Sequence, residues 1–321
     1  MKNNTFEELA EVISAAERIL IYPHVNMDGD TLGSAAALCK GMRSMGKECH
    51  VLIEDDIPAN LAFLDQGYCT FDQNVIARPD LSVCVDCGNP SRFEKRQEKF
   101  AEGRRTMCID HHGTTAFYCD FNYVEKEAAA TGELIYRLLQ TLGVALDREM
   151  GEAIFAAITT DTGNFQYSNT SKESHLIAAE LYDIGIDANK VSVEIYENMR
   201  IEKLLIENLV LSTMSTVCGG QGVIAYVTQD MLSETGALME ETEGVVQRLR
   251  SISGVEVAAF LKETKDGRIK LSLRSKSRID VAKIASELGG GGHIRAAGGT
   301  LNCGLSEAFD ILKEKIIKSI G

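Results

Sequence analysis

Apolar and polar positions fall into two textures along this chain. In the first 112 residues, short β-branched runs (RILIYP at 18–23, ECHVLIED at 48–55, LSVCVD at 81–86, TMCID at 106–110) are separated by stretches of helical spacing such as TLGSAAALCKGMRSMG at 31–46. An apolar run of about four to eight residues is the length of one buried strand. Helices between such strands let them pair in parallel, so the pattern predicts an α/β domain on a largely parallel sheet. From Ala128 to about Leu211 the spacing turns helical, through ATGELIYRLLQTLG, REMGEAIFAAITTDTG and KESHLIAAELYDIG. After Ser212, STVCGGQGVIAYV and VEVAAFLKETKDGRIKLSLRS each read as a β-hairpin, with glycines or KDG at the turn. A helix at DVAKIASEL, a glycine loop, a short strand and a last amphipathic helix follow, giving a smaller α+β domain. The expected division is 1–190, a helical connector at 191–212, and 213–321, with the active site in the cleft between the domains.

Composition agrees with two domains, since 321 residues exceed one ordinary core. The opening MKNNTFEELAEVISAAERIL mixes acids among its apolar positions and lacks a basic start and a cleavage site, so it reads as an amphipathic helix rather than a leader. No apolar stretch approaches the roughly 20 residues of a membrane span. Nine scattered cysteines, with Cys84 and Cys87 flanking an aspartate on an apolar run, read as reduced thiols in a cytoplasmic protein.

The net charge of −14 is uneven: residues 213–321 carry 14 Lys+Arg against 13 Asp+Glu, leaving 19 against 34 for residues 1–212. A local basic patch runs from Lys265 to Lys283. That suits a small anionic ligand and argues against duplex DNA, which needs a broad basic footprint.

The candidate chemistry gathers where apolar runs end. His24, Asp28 and Asp30 follow the first run, Asp86 ends LSVCVD, Asp110-His111-His112 ends TMCID, and Asp161 stands near the end of a predicted helix. Asp28, Asp30, Asp86 and Asp161, gathered as four carboxylates in one cleft, repel by about 4 kcal/mol per pair at about 4 Å and an effective dielectric near 20. Two divalent ions cancel them, and His/Asp ligation without thiolate suits manganese ahead of magnesium, cobalt or iron. In the second domain Arg274-Ser275 on a strand and Gly290-Gly291-Gly292-His293 after a helix offer a guanidinium fork and free backbone N–H groups to an anion. His50 and His175 read as surface or packing residues, and Phe165 and Tyr167, which follow Asp161, as core packing ahead of stacking on a base.

Taken in order, His24/Asp28/Asp30, Asp86, Asp110-His111-His112 and Asp161 resemble the four motifs of the DHH phosphoesterase superfamily, and the glycine run with His293 resembles the DHH-associated C-terminal domain. The resemblance spans nearly the whole chain. It implies that His24, Asp28 and Asp86 hold one metal and Asp30, Asp86, His111 and Asp161 the other, with Asp86 bridging. His112 would face the phosphate or leaving group, Asp110 would orient the histidine pair, and Arg274, Ser275, Gly290, Gly291, Gly292 and His293 would bind substrate. Gly113 and Ile294 stand where relatives often carry proline, which reads as loop variation. The implied activity is two-metal hydrolysis of very short single-stranded RNA to mononucleotides, with removal of the 3′-phosphate from pAp. The alternative is a phosphodiesterase for cyclic or linear dinucleotides such as c-di-AMP or pApA. The sequence shows no interface, though a homodimer is compatible with it.

Overall fold

The computed structural model describes residues 3–321, which divide into two compact units, the first ending at Asn198 and the second spanning Met199–Gly321. The first unit opens with α1 (Phe6–Ala15), whose start is fixed by a reciprocal capping pair between Thr5 and Glu8 and whose Leu9 and Ile13 are buried. Then follow β1 (Arg18–Tyr22), α2 (Gly29–Ser44), β2 (Glu48–Leu52), β3 (Cys69–Thr70), β4 (Leu81–Val85), α3 (Gln97–Ala101), β5 (Thr106–Asp110) and β6 (Phe121–Val124). Four helices complete it: α4 (Thr131–Thr141), α5 (Arg148–Asp161), α6 (Lys172–Ile184) and α7 (Ala188–Ser192).

The six strands form one sheet in the order β3-β2-β1-β4-β5-β6, and every neighbouring pair is parallel. The strands are apolar on both faces because α2, α4 and α5 build a core on one side while Phe93, Phe100 and the Cys84/Cys108 pair fill the other. All nine cysteines are free thiols. After β1 the chain runs first to β2 and β3 on one side and then to β4, β5 and β6 on the other. Loops that diverge from such a switch point leave a crevice at the C-terminal strand ends.

The second unit holds α8 (Ile201–Ser212), β7 (Ser215–Val217), β8 (Gly222–Val227), α9 (Gln229–Thr235), α10 (Val245–Ser251), β9 (Val257–Glu263), β10 (Ile269–Ser275), α11 (Val281–Glu287), β11 (Gly291–His293), β12 (Ala296–Leu301) and α12 (Leu305–Ile320). Its sheet runs β11-β12-β10-β9-β8-β7. The two expected hairpins are present as antiparallel pairs, but β8 and β9 join them in parallel, so the sheet is mixed. The glycine run read as a loop ends as strand: β11 pairs with β12 from Gly291 to His293. Helix α8 packs into this unit through Ile206 and Val210. Among the described residues no helix is long and apolar enough to cross a membrane.

Candidate metal centre

The parallel strands carry their polar residues to one edge. His24 follows β1, Asp86 follows β4, and Asp110 closes β5 with His111 and His112 behind it. Asp28 caps α2 by accepting from the Thr31 N–H at 3.0 Å, which places Asp30 in the first turn. Asp161 is the last residue of α5. Helices α2 and α5 approach closely at Gly29 and Gly33, where an added Cβ would strike Thr160 and the Ala153 carbonyl. That contact brings Asp30 and Asp161 into one site.

Two groups result, sharing Asp86. His24 Nε2 lies 3.5 Å from Asp28 Oδ2 and 3.4 Å from Asp86 Oδ2. His111 Nε2 lies 3.7 Å from Asp30 Oδ2, 3.6 Å from Asp86 Oδ1 and 3.5 Å from Asp161 Oδ2. The outward ring nitrogens are occupied: His24 Nδ1 is 2.8 Å from the Val25 carbonyl and His111 Nδ1 is 3.2 Å from that of Ala128. A carbonyl there accepts a hydrogen bond from Nδ1–H, which leaves Nε2 as a lone pair. His111 Nε2 is buried without a hydrogen-bond partner. A lone pair aimed at three carboxylates is repelled by all of them unless a cation stands between, and these separations suit ligands that each reach about 2 Å to a shared ion. The donor set fits a pair of divalent ions.

Without cations, protons must do that work. Burial, then the charges of Asp86, Asp161 and Asp28, lift Asp30 well above the carboxylate range. Burial with Asp86 and Asp28 lifts Asp161 to about 6, although His111 opposes it. Burial disfavours the charged His24, but Asp28 and Asp86 outweigh it and raise its pKa to about 9. Metal binding at such a site displaces protons.

Backbone amides complete the cradle. Asp30 accepts from Thr131 N at 2.7 Å, Gly132 N at 2.9 Å and Ser34 Oγ at 3.2 Å, so the N-terminus of α4 faces it. Thr131 Oγ1 donates to Asp86 Oδ1 at 2.9 Å, tying both carboxylates to one residue. Sequence reading missed Thr131 and Gly132; the available signal was a Thr-Gly pair at a helix start, where free N–H groups meet anions. Strain gathers here too. Of the five non-glycine residues with left-handed φ among the described residues, Asn26, Asp86, Asn164 and Phe165 lie in loops that carry or flank these ligands.

Comparison with known proteins decides the family. The chain is 32% identical over 312 residues to a Thermus thermophilus protein named bifunctional oligoribonuclease and PAP phosphatase NrnA, covering 96% of this chain and 92% of that one. The N-terminal domain of the DHH family matches residues 18–160, and the DHHA1 domain matches 219–320. The chain belongs to the DHH family. A Bacillus subtilis protein of the same name is 26% identical over 92% of each chain. An exopolyphosphatase-related protein from Bacteroides fragilis superposes on this DHH protein with TM-score 0.90 at 26% identity, covering 98% of this chain and 95% of that one. Exonuclease RecJ bound to manganese shares the fold at TM-score 0.57 and 16% identity, over 99% and 94% of the chains.

The motif that gives the DHH family its name splits its labour in this protein. Asp110 was expected to orient both histidines, yet it holds His112 alone, accepting from His112 Nδ1 at 2.8 Å, His112 N at 3.1 Å and Thr115 Oγ1 at 2.5 Å. Its hydrogen bond leads the causes that raise the His112 pKa to about 9. In the second unit of this DHH protein, Arg274 is half-buried and makes no ion pair among the described residues; burial and the like charge of Arg250 lower its pKa. His293 is exposed on β11. Ser275, expected beside Arg274 in the anion clamp, is buried, and its hydroxyl donates to the carbonyls of Ile279 at 2.7 Å and Ile294 at 3.3 Å. Successive strand residues face opposite sides, which turns Ser275 inward when Arg274 faces out. Gly290 and Gly292 press on the backbone of β12, where a Cβ would clash, so the fold itself requires them. Phe165 packs on Phe155 and His175, as read from the sequence, whereas Tyr167 is exposed.

Proposed function

We propose that this DHH protein is a manganese-dependent phosphoesterase that shortens very short single-stranded RNA to mononucleotides and removes the 3′-phosphate from pAp. The observation that carries the reading is Asp86, whose two oxygens face His24 Nε2 and His111 Nε2 separately, so one carboxylate can serve two ions. The names of the relatives that match nearly the whole chain support the substrate class.

In this reading His24, Asp28 and Asp86 would hold one ion, and Asp30, Asp86, His111 and Asp161 the other. When bound, such a pair supplies Lewis acidity toward the phosphoryl oxygens during in-line displacement. His112, held protonated by Asp110, gives its proton to the departing oxygen. Thr131 and Gly132 keep the Asp30 carboxylate in place while charge shifts. Arg274 and His293 bind the substrate's terminal phosphate.

Hydrolysis of a 5′-phosphorylated dinucleotide by wild type and Asp86→Ala, each stripped of metal and resupplied with manganese, tests the assignment. Turnover should return only in the wild type. Full activity in the variant would remove Asp86, and the shared-carboxylate mechanism with it.

A further inference from the structure

Arg92 is a cation that the fold positions and does not use. Residues 1–212 carry 34 acidic against 19 basic side chains, and Arg18, Arg96, Arg137 and Arg148 of the first unit each pair with a carboxylate. Arg92 is exposed and makes no side-chain hydrogen bond or ion pair among the described residues. Its backbone is held on both sides. The Arg92 carbonyl accepts from the Val25 N–H at 2.8 Å, which pins it to the loop carrying His24 and Asp28, and its own N–H donates to the Asn89 carbonyl at 3.0 Å. The Asn89 side chain accepts from the Ser91 N–H at 2.9 Å. Next along the chain Phe93 is fully buried, with ring centroids 6.0 Å from Tyr22 and 5.0 Å from Phe100.

The guanidinium lies on one flank of the metal cluster. Burial raises the pKa of Asp28, but hydrogen bonds from His24 and Thr31 and the charges of His24 and Arg92 bring it below its ordinary value. His112 occupies another flank, 3.5 Å from Asp86 and 2.8 Å from Asp110. The charge at the centre sets what such a cation can do. Two divalent ions would offset Asp28, Asp30, Asp86 and Asp161 and leave the cluster neutral. A phosphodiester adds one negative charge, and a phosphomonoester, whose second pKa is about 6, adds up to two near neutral pH. The RNA linkage is a diester and the 3′-phosphate of pAp a monoester. One cluster that accepts both meets an extra negative charge in the second case, and Arg92 is an unpaired guanidinium whose field reaches a ligand of that cluster.

We propose that Arg92 binds the phosphoryl oxygens of the group being hydrolysed and adapts one metal cluster to dianionic phosphomonoesters as well as monoanionic diesters. A planar guanidinium offers two parallel N–H groups to two such oxygens. This role for Arg92 rests on the reading of the protein as a phosphoesterase for short RNA and pAp, and deepens it: the second activity depends on a cation that is not a metal ligand and that the first activity needs less.

Arg92→Lys keeps the charge and Arg92→Gln removes it, and neither touches the backbone bonds to Val25 and Asn89, so both should keep the wild-type melting temperature. With manganese supplied, kcat/KM of Arg92→Gln should fall about 100-fold on pAp and no more than about tenfold on a 5′-phosphorylated dinucleotide, while Arg92→Lys stays within about tenfold of wild type on pAp. Calorimetric binding of methyl phosphate and dimethyl phosphate to the manganese-loaded full chain reads the same charge difference without turnover. Arg92→Gln should weaken the monoester about tenfold and leave the diester within about twofold. Manganese affinity should hold or rise in that variant, since a neighbouring positive charge is removed. Equal losses on pAp and the dinucleotide, wild-type affinity of Arg92→Gln for methyl phosphate, or a fall in its manganese affinity would each overturn the role of Arg92. Inertness of the wild type toward both substrates would overturn the proposed activity, and the two esters would still decide whether Arg92 binds a dianionic phosphate.

Discussion

Thr131 offers a sharp test of how the metal cradle is built, because one hydroxyl separates it from valine. In Thr131→Val the backbone N–H still reaches Asp30 at 2.7 Å, while the 2.9 Å hydrogen bond from Oγ1 to Asp86 is lost. Asp86 is 3% exposed, so water does not replace that donor freely. A hydrogen bond to a charged group contributes about 1.5–3 kcal/mol, which converts to roughly 10–100-fold in affinity. Partners that orient metal ligands have effects of that size. Calorimetric titration of chelator-stripped protein with manganese should show affinity falling by about that factor in Thr131→Val and returning to within about threefold of wild type in Thr131→Ser. Wild-type affinity in the valine variant would refute the role of the hydroxyl, and so would a serine variant no better than valine.

Two further outcomes follow from groups outside the cluster. Glu256 accepts from the backbone N–H groups of Ser277, Arg278 and Ile279 and from Ser277 Oγ at 2.6–3.0 Å; burial opposes its charge, but these bonds prevail and lower its pKa from 4.5 to about 2. A depressed carboxyl contributes stability that is present above pH 4.5 and lost as pH falls toward 2, here up to about 3 kcal/mol. Denaturation of wild type and Glu256→Gln should show a gap of that order at pH 7 that shrinks by pH 3; an equal gap at both would contradict it. Arg96 is 1% exposed and binds Glu54 and the carbonyls of Leu52 and Pro23, the residue before His24. Arg96→Met strands a buried carboxylate and should cost about 3–5 kcal/mol by thermal denaturation, whereas a change below about 1 kcal/mol would show that the contacts rearrange without cost.

What was legible in the sequence is what chain-local chemistry encodes. Buried parallel strands are continuous apolar runs, and polar residues at their ends stand out, so His24, Asp86 and Asp110 through His112 could be placed on one edge before any coordinates. Asp28, Asp30 and Asp161 followed from a loop entering a helix and from a helix end. Contacts made across long separations were not legible. Thr131 meets Asp30 and Asp86 from 101 and 45 residues away, and the Thr-Gly pair marks a helix start without naming the carboxylates that reach it. The parallel β8–β9 pairing escaped notice because alternation gives strand faces but not partner direction. Ser275 was assigned to the clamp by adjacency to Arg274, although adjacency along a strand means opposite faces.

The cluster around Asp86 is proposed to hydrolyse short phosphorylated RNA. Product analysis with manganese on 5′-phosphorylated RNA of two to about twenty nucleotides, pAp, c-di-AMP and pyrophosphate addresses it most directly. The shortest oligomers should be converted rapidly to mononucleotides and pAp to AMP, with the longest RNA spared. A preference for c-di-AMP or pyrophosphate, or inertness toward every phosphoester on the panel, would contradict it.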